Sequence, residues 1–399
     1  MTVEIDAIGA RIAALNDRAR RLQAEDLYFY EIPVSAVDGP WVTVDGRRML
    51  MMASYSYLGL LGHPDITRAA RDAAERFGTG THGVRMLAGT LTIHRQLEET
   101  IARFKQAEDA VVYSSGYVTN LSVISTLVGR DDAVICDKIN HASIIDGCLL
   151  SRANLIRFRH NDTVDLERAL VKAGSAAKLV VVDAVFSMDG DVINLPEVSR
   201  LCKQHGAWLM VDEAHSLGVL GRTGHGIEEH FGLPPDTIDI KMGTLSKAIP
   251  SVGGYVAGRR DLVAYLKNSS RAYIFSAALP PASAAAAKEA LEVIERESWR
   301  VDKLHHVSGL FLSGLRSLGF DTLQSETAIV PLMAGEDDRA FLMTRYCHHN
   351  DVFALPVISP AVPAGLARLR ATVTAAHDPQ HVDQALSVFE RAGREARVL

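Results

Sequence analysis

Between residues 110 and 258, short apolar runs alternate with stretches of helical periodicity. The runs are Ala110-Val-Val-Tyr, Asp132-Ala-Val-Ile-Cys, Leu155-Ile-Arg-Phe, Lys178-Leu-Val-Val-Val-Asp183, Ala207-Trp-Leu-Met-Val-Asp212, Ile238-Asp-Ile-Lys and Tyr255-Val-Ala. Runs rich in Val and Ile, separated by helical patterns, belong to parallel sheets covered on both faces. The pattern predicts an α/β fold built on a mainly parallel seven-stranded sheet.

Upstream, Ile8, Ile12, Leu15 and Leu22 fall at helical spacing, so residues 6–24 should form an amphipathic helix packed on the body or on a partner subunit. Trp41-Val-Thr-Val-Asp-Gly-Arg is a hairpin signal with Asp45-Gly46 as its turn. Pro64 opens a helix to about Phe77, at the position where its missing N–H costs nothing. Leu97, Ile101 and Phe104 mark another helix. After Pro280-Pro281 an alanine-rich helix, 282–294, can swing away from the sheet. These breaks divide the chain into an N-terminal helix and hairpin segment (1–50), a large sheet domain (51–282) and a small α+β C-terminal domain (283–399).

Composition changes the picture only by exclusion. The 399-residue chain carries a net charge of -6, which advertises neither a nucleic-acid surface nor an anionic-membrane surface. Cys136, Cys148, Cys202 and Cys347 show no paired spacing, as expected of a protein in a reducing cytoplasm. Cys347-His348-His349 is poor metal-ligand spacing, and no metal site is expected. Residues 1–25 do not read as a signal sequence, and no apolar run reaches membrane-spanning length.

Parallel sheets bind ligands beyond the carboxyl ends of their strands, so the polar residues there are the candidates for chemistry. Ser114-Ser-Gly-Tyr-Val-Thr-Asn120 is a glycine turn entering a helix, whose free N–H groups suit a phosphate. Other strand ends offer His141, then Asp183 with Ser187, then Asp212-Glu-Ala-His215, then Thr244, Ser246 and Lys247. Each has an ordinary alternative: Asp183 and Asp212 as helix caps, His141 as a core imidazole, Ser187 as a turn residue, Lys247 as a loop lysine. Together they match one cofactor. Pyridoxal phosphate needs an anion pocket, an aspartate for its ring nitrogen, a stacking group and a Schiff-base lysine.

The same residues carry a resemblance. Asp212-Glu-Ala-His215, Gly243-Thr-Leu-Ser-Lys247, Ser115-Gly-Tyr117, Asn140-His-Ala-Ser143, Ser54 to Leu60 and Gly365 to His377 resemble the α-oxoamine synthase family, in the family's order, from about 30 to 390. The resemblance implies fold type I of the pyridoxal-phosphate enzymes and a homodimer with active sites at the subunit interface. The implied reaction is decarboxylative condensation of a small amino acid (Ser, Ala or Gly) with an acyl thioester, on coenzyme A or an acyl-carrier protein, to give an α-amino ketone. It implies Lys247 as the Schiff-base lysine and later the base at Cα, Asp212 on the pyridine nitrogen, and His215 and Ser187 near the phenolic oxygen. His141 would stack on the ring; Gly116, Tyr117 and Thr244 would take the phosphate; Arg370 and Ser56 would meet the substrate.

The sequence departs from the family pattern at three places. Ser54-Tyr-Ser-Tyr57 replaces the common Ser-Asn-Asp-Tyr and is nearer the lipid-forming members. Ala277 stands where many members place a Thr or Asn that reaches the neighbouring subunit's phosphate, with Ser276 as a substitute. Pro250 replaces a usual glycine. These differences favour a specialised lipid or polyketide-type product. Three rivals stand beside this reading: another fold type I reaction such as transamination or aldol cleavage, a nicotinamide oxidoreductase, and a non-catalytic interaction protein. The second would rest on Gly78-Thr-Gly-Thr-His-Gly83, which follows a helix where a dinucleotide fingerprint follows a strand. The third would have no use for Lys247 and Asp212 together.

Overall fold

The computed structural model describes residues 6–399. Its centre is a seven-stranded sheet: β1 (Asp109–Tyr113), β2 (Ala133–Asp137), β3 (Asn154–Phe158), β4 (Lys178–Asp183), β5 (Trp208–Asp212), β6 (Ile240–Thr244) and β7 (Gly254–Gly258). The order across it is β1-β7-β6-β5-β4-β2-β3, and only β7 runs against its neighbours. All seven apolar runs are therefore strands. Every residue of β2, β6 and β7 is buried, which is why the runs show no polar alternation. Because β4 and β5 are adjacent and parallel, Asp183 and Asp212 are register partners at their carboxyl ends.

Helices cover both faces. Five matter for the site: α1 (Pro64–Phe77), α2 (Thr92–Phe104), α3 (Gly116–Leu127), α4 (Ala142–Ser151) and α5 (Pro281–Arg296). On one face, Val123 and Ile124 of α3 and Ile144 and Cys148 of α4 pack with Val111, Val134, Val181 and Met210 of the sheet. The helix after Pro280-Pro281 does not swing away. Ala284, Ala287 and Ala290 of α5 are fully buried, and the helix lies against α1 and α2. Small side chains let helix axes approach closely, so an alanine-rich face here acts as packing surface.

The hairpin forms as the sequence indicates, Trp41–Val44 with Arg47–Met51, and its turn residues Asp45 (φ 48°) and Gly46 (φ 77°) have the positive φ of a type I′ turn. Val352–Phe353 joins it in parallel, so a strand from late in the chain continues the N-terminal sheet. A second small sheet, Ile329–Gly335, Ala367–Thr372 and Pro356–Val357, is antiparallel and carries Arg368 and Arg370. The N-terminal helix, Ala7–Ala24, buries none of its residues. Leu22 packs on the main cluster, while Ile8, Ile12 and Leu15 are more than half exposed. Among the described residues no helix is long and apolar enough to cross a membrane.

Behind the carboxyl end of β5 lies a buried ion pair. Glu213 follows Asp212, is fully buried, and sets its carboxylate 2.7 Å from Lys105 Nζ at the end of α2. It also accepts hydrogen bonds from Ser216 Oγ and the Ile227 N–H, both at 3.2 Å. This pair anchors the turn that carries His215. Lys105→Met should leave a carboxylate buried without its countercharge and destabilise the fold by about 3–5 kcal/mol. A denaturation midpoint equal to that of the parent protein would show that the turn does not depend on the pair.

Candidate active site

Three strand ends, those of β4, β5 and β6, and two helix starts close on a cavity of about 230 Å³. Its lining includes Gly116, Tyr117, Asn120, His141, Asp183, Asp212, His215, Thr244 and Lys247. The helix α3 begins at Gly116, with the Ser115 side chain accepting from the Val118 N–H and leaving other first-turn amides facing the cavity mouth. A Cβ at Gly116 would lie 2.9 Å from Thr244 Oγ1, and one at Gly254 would lie 2.7 Å from the Gly116 Cα. The helix start therefore rests on the Thr244 side chain of β6 and on the β7 backbone at Gly254, with no side chain of its own between. Thr244 Oγ1 bonds Ser246 Oγ at 2.8 Å beside it. Hydroxyls and open amides at a helix N-terminus suit a phosphate.

Asp212 is buried, and both its oxygens accept hydrogen bonds: Oδ2 from Asn120 Nδ2 at 2.7 Å and Oδ1 from the Ala214 N–H at 2.9 Å. Asn120 stands one helical turn inside α3 and also donates to Ser143 Oγ at 2.9 Å. Its own Oδ1 is buried without a partner. Next to Asp212, burial and the neighbouring negative charge push the Asp183 carboxyl well above its ordinary range. Asp183 accepts the His141 N–H at 2.8 Å and so fixes the start of α4. His141 Nδ1 bonds Ser143 Oγ at 2.7 Å, and burial lowers its imidazole.

Lys247 follows β6, and its Nζ lies 2.7 Å from His215 Nε2. Burial lowers the ammonium to about 8, against the pull of the Asp212 and Asp183 carboxylates, and the positive charge of Arg370 adds to the lowering. A lysine so placed is a nucleophile near neutral pH. His215 is held well below the ordinary imidazole range by burial and then by the charges of Lys247 and Arg370. Its Nδ1 lies 2.6 Å from the Tyr57 hydroxyl.

The two arginines of Arg368-Leu-Arg370 differ in what they hold. Arg368 is paired with the Asp189 carboxylate. Arg370 donates to the Ser187 carbonyl at 2.5 Å, to Thr372 Oγ1 at 2.9 Å and to the Tyr57 hydroxyl at 3.4 Å, and among the described residues is paired with no carboxylate. The Tyr55 ring covers it at 4.7 Å and lies 5.8 Å from Lys247 Nζ.

Several sequence candidates take other places. Ser56 faces a separate cavity of about 170 Å³ lined by Val34, Val37, Met51, Ser54 and His377, and its hydroxyl is buried without a partner. The cause is a bend: the Tyr57 N–H bonds the Tyr55 carbonyl at 2.8 Å, so Tyr55 and Tyr57 reach Arg370 and His215 while Ser56, at the bend, faces elsewhere. Ser187 does not line the Lys247 cavity and contributes its carbonyl, to Arg370. The amide of Tyr117 lies in the first turn of α3, while its hydroxyl bonds Asp146. Cys347 is buried in its helix, His348 bonds the Ala354 carbonyl at 2.9 Å and His349 is exposed, so these three do not converge. His160, Asp189 and Asp191 do approach one another. They are consumed by ion pairs: His160 lies between Asp137 and Asp191, is raised to about 10 by them against its burial, and Asp189 holds Arg368. Asn120 and Tyr57 escaped the sequence reading as site residues, although Asn120 lies one turn after Gly116 and Tyr57 two residues after Tyr55.

The donor set fits pyridoxal phosphate on the structure's own terms: a side-chain-free helix start, a buried carboxylate, an orphaned amide oxygen and a lysine lowered to about 8 share one cavity. Comparison with known proteins agrees. Residues 47–389 match the family described as aminotransferase class I and II. The 8-amino-7-oxononanoate synthase of Geobacter sulfurreducens is 43% identical over 383 residues, covering 95% of this chain and 98% of that protein. That of Thermoanaerobacter pseudethanolicus is 41% identical over 387 residues, covering 96% and 98%. Among solved structures, a serine palmitoyltransferase from S. paucimobilis with PLP and myriocin bound superposes with a TM-score of 0.94 at 34% identity, covering 98% of this chain and 99% of that one. The chain belongs to the aminotransferase class I and II family and, within it, to the α-oxoamine synthases, pyridoxal-phosphate-dependent acyltransferases of fold type I.

Proposed function

We propose that the protein condenses a small amino acid, Ser, Ala or Gly, with an acyl thioester, releasing carbon dioxide and a thiol and forming an α-amino ketone. The observation that carries this reading is the placement of Lys247, lowered to about 8, between His215 and the Asp212 carboxyl, with Arg370 paired with no carboxylate among the described residues. When bound, pyridoxal phosphate supplies an aldehyde and an electron-withdrawing ring that stabilises negative charge at a substrate Cα. Asp212 would hold its ring nitrogen, and the α3 start with Thr244 its phosphate. His141 would lie against its ring. Arg370 is suited to grip a substrate carboxylate with its remaining N–H groups. Lys247, neutral near pH 8, accepts the proton from Cα and later returns one. Tyr55 lies over both Arg370 and Lys247 and would bound the space beside the substrate Cα.

The relatives in sequence are 8-amino-7-oxononanoate synthases, and the structural neighbours include both serine palmitoyltransferases and an 8-amino-7-oxononanoate synthase, so the test covers more than one amino acid and acyl chain. Alanine and serine are the first two to test. A homodimer is part of the proposal. Leu87 and Phe275, 84% and 72% exposed, lie on segments joined by the Val84–Ala277 bridge. Such a patch suits a second copy of the chain. Ser276 beside it has no side-chain hydrogen bond within the described residues and is a candidate for contact with the neighbour's phosphate. The acyl carrier, coenzyme A or a carrier protein, belongs to the same test.

The test is the visible spectrum of the purified protein with each amino acid added, followed by thiol release from acyl-CoAs of increasing length. A yellow band that shifts with one amino acid, and thiol release that requires the same one, is the expected result. A spectral shift with no thiol release from any thioester would favour the transamination or aldol class instead. A protein that stays colourless when pyridoxal phosphate is supplied would overturn the proposal.

A further inference from the structure

The Tyr57 hydroxyl is fully buried and touches two polar groups, Arg370 Nη2 at 3.4 Å and His215 Nδ1 at 2.6 Å. A guanidinium only donates, so the tyrosine oxygen accepts from Arg370. Its own hydrogen then has a single acceptor, His215 Nδ1. If that nitrogen carried a proton, a buried O–H would be left without a partner, at a cost of about 1–3 kcal/mol. The direction of the chain is thus set from the arginine inward: Arg370 N–H to Tyr57 oxygen, Tyr57 O–H to His215 Nδ1, His215 Nε2–H toward Lys247.

We propose that Tyr57 is a positioning residue that fixes His215 in the Nε2–H tautomer, so that the histidine offers Lys247 a donor and requires the lysine nitrogen to be an acceptor. The 2.7 Å separation of His215 Nε2 and Lys247 Nζ is then a hydrogen bond to a neutral amine. Burial acts the same way on all three groups, raising Tyr57 to about 12, lowering His215 and lowering Lys247 to about 8. The charged and titratable groups facing this relay are Arg370 at one end, Asp212, Asp183 and His141 at the other, with Tyr55 alongside. Arg370 is the group read above as gripping the substrate carboxylate. A carboxylate there would compete for its N–H groups, so the relay links substrate arrival to the state of the lysine. That link rests on the proposed function; the tautomer does not.

The test is ¹⁵N spectroscopy of the full-length chain labelled at histidine, before and after loading with pyridoxal phosphate, with His215→Gln identifying the signal. The expected spectrum has a protonated Nε2 and an unprotonated Nδ1 at His215 between pH 6 and 9, the range spanning the ordinary imidazole value and the lowered lysine. In Tyr57→Phe the pattern should shift toward protonated Nδ1, with a fall in kcat of about 2- to 10-fold, the worth of one neutral hydrogen bond. A wild-type His215 protonated on Nδ1 would overturn the proposal even if Tyr57→Phe failed to fold. So would a folded variant with an unchanged tautomer. Should the spectra be as expected while no amino acid shifts the visible band, the tautomer assignment stands and the functional reading falls.

Discussion

Lys247→Ala is expected to lower turnover by at least about 10²- to 10⁴-fold, the range for a positioned acid–base group. The variant removes both the amine that binds the cofactor covalently and the proton acceptor at Cα. The change is local. Among the described residues Lys247 makes one hydrogen bond, to His215, and belongs to no ion pair, so the fold should survive. The companion result is a pH profile. In the parent apoenzyme the rate of colour formation with added pyridoxal phosphate should rise with pH and level off above about 8, where the lowered amine is neutral. An exposed lysine would continue to gain reactivity up to about pH 10. Wild-type turnover in the alanine variant, or a rate still climbing at that pH, would remove Lys247 from its role.

Asp212→Asn is expected to slow exchange of the substrate Cα proton by roughly 10- to 100-fold, from the loss of a charge-assisted hydrogen bond. The physical reasoning is stricter than a loss of charge. Both Asp212 oxygens already accept, from Asn120 and from the Ala214 N–H. An asparagine amide must turn its NH₂ toward one of these donors, so the substitution also sets donor against donor. Proton exchange measured by NMR in deuterated water, with amino acid and no thioester, isolates this step from acyl transfer. Cofactor should still bind through the α3 start and Lys247. An exchange rate equal to the parent's would remove Asp212 from the ring nitrogen.

The sheet was legible because its inner strands are buried on both faces and so appear as continuous apolar runs, and Lys247, Asp212, His215 and Thr244 because each lies at or just past the end of a run. Other residues depend on direction, which spacing does not carry. Ser56 was chosen from a motif in which its neighbours Tyr55 and Tyr57 face the site, and the bend that joins the Tyr57 N–H to the Tyr55 carbonyl turns it to another cavity. Tyr57 was hidden for the same reason, since its partners His215 and Arg370 are 158 and 313 residues away. Ser187 reads as a hydroxyl in sequence, yet its carbonyl is the atom that meets Arg370. Pro280-Pro281 signalled a change of direction, but the alanine face that follows determines where α5 rests, and it rests on α1 and α2.

The close approach of α3 to β6 and β7 at Gly116 and Gly254 has a mechanical consequence. A Cβ at Gly254 would meet Thr119 Oγ1 at 2.4 Å, and one at Gly243 would enter the Tyr255 ring at 2.5 Å. The spacing between the helix start and the strand that leads to Lys247 is set by the Gly116 main chain against the short, hydrogen-bonded Thr244 side chain, which leaves little slack to absorb a change. It works as a machinist's datum face. An enlargement at either glycine would displace the anion cradle relative to the lysine, changing the span over which one rigid molecule must be gripped at both ends, while leaving every reactive group intact.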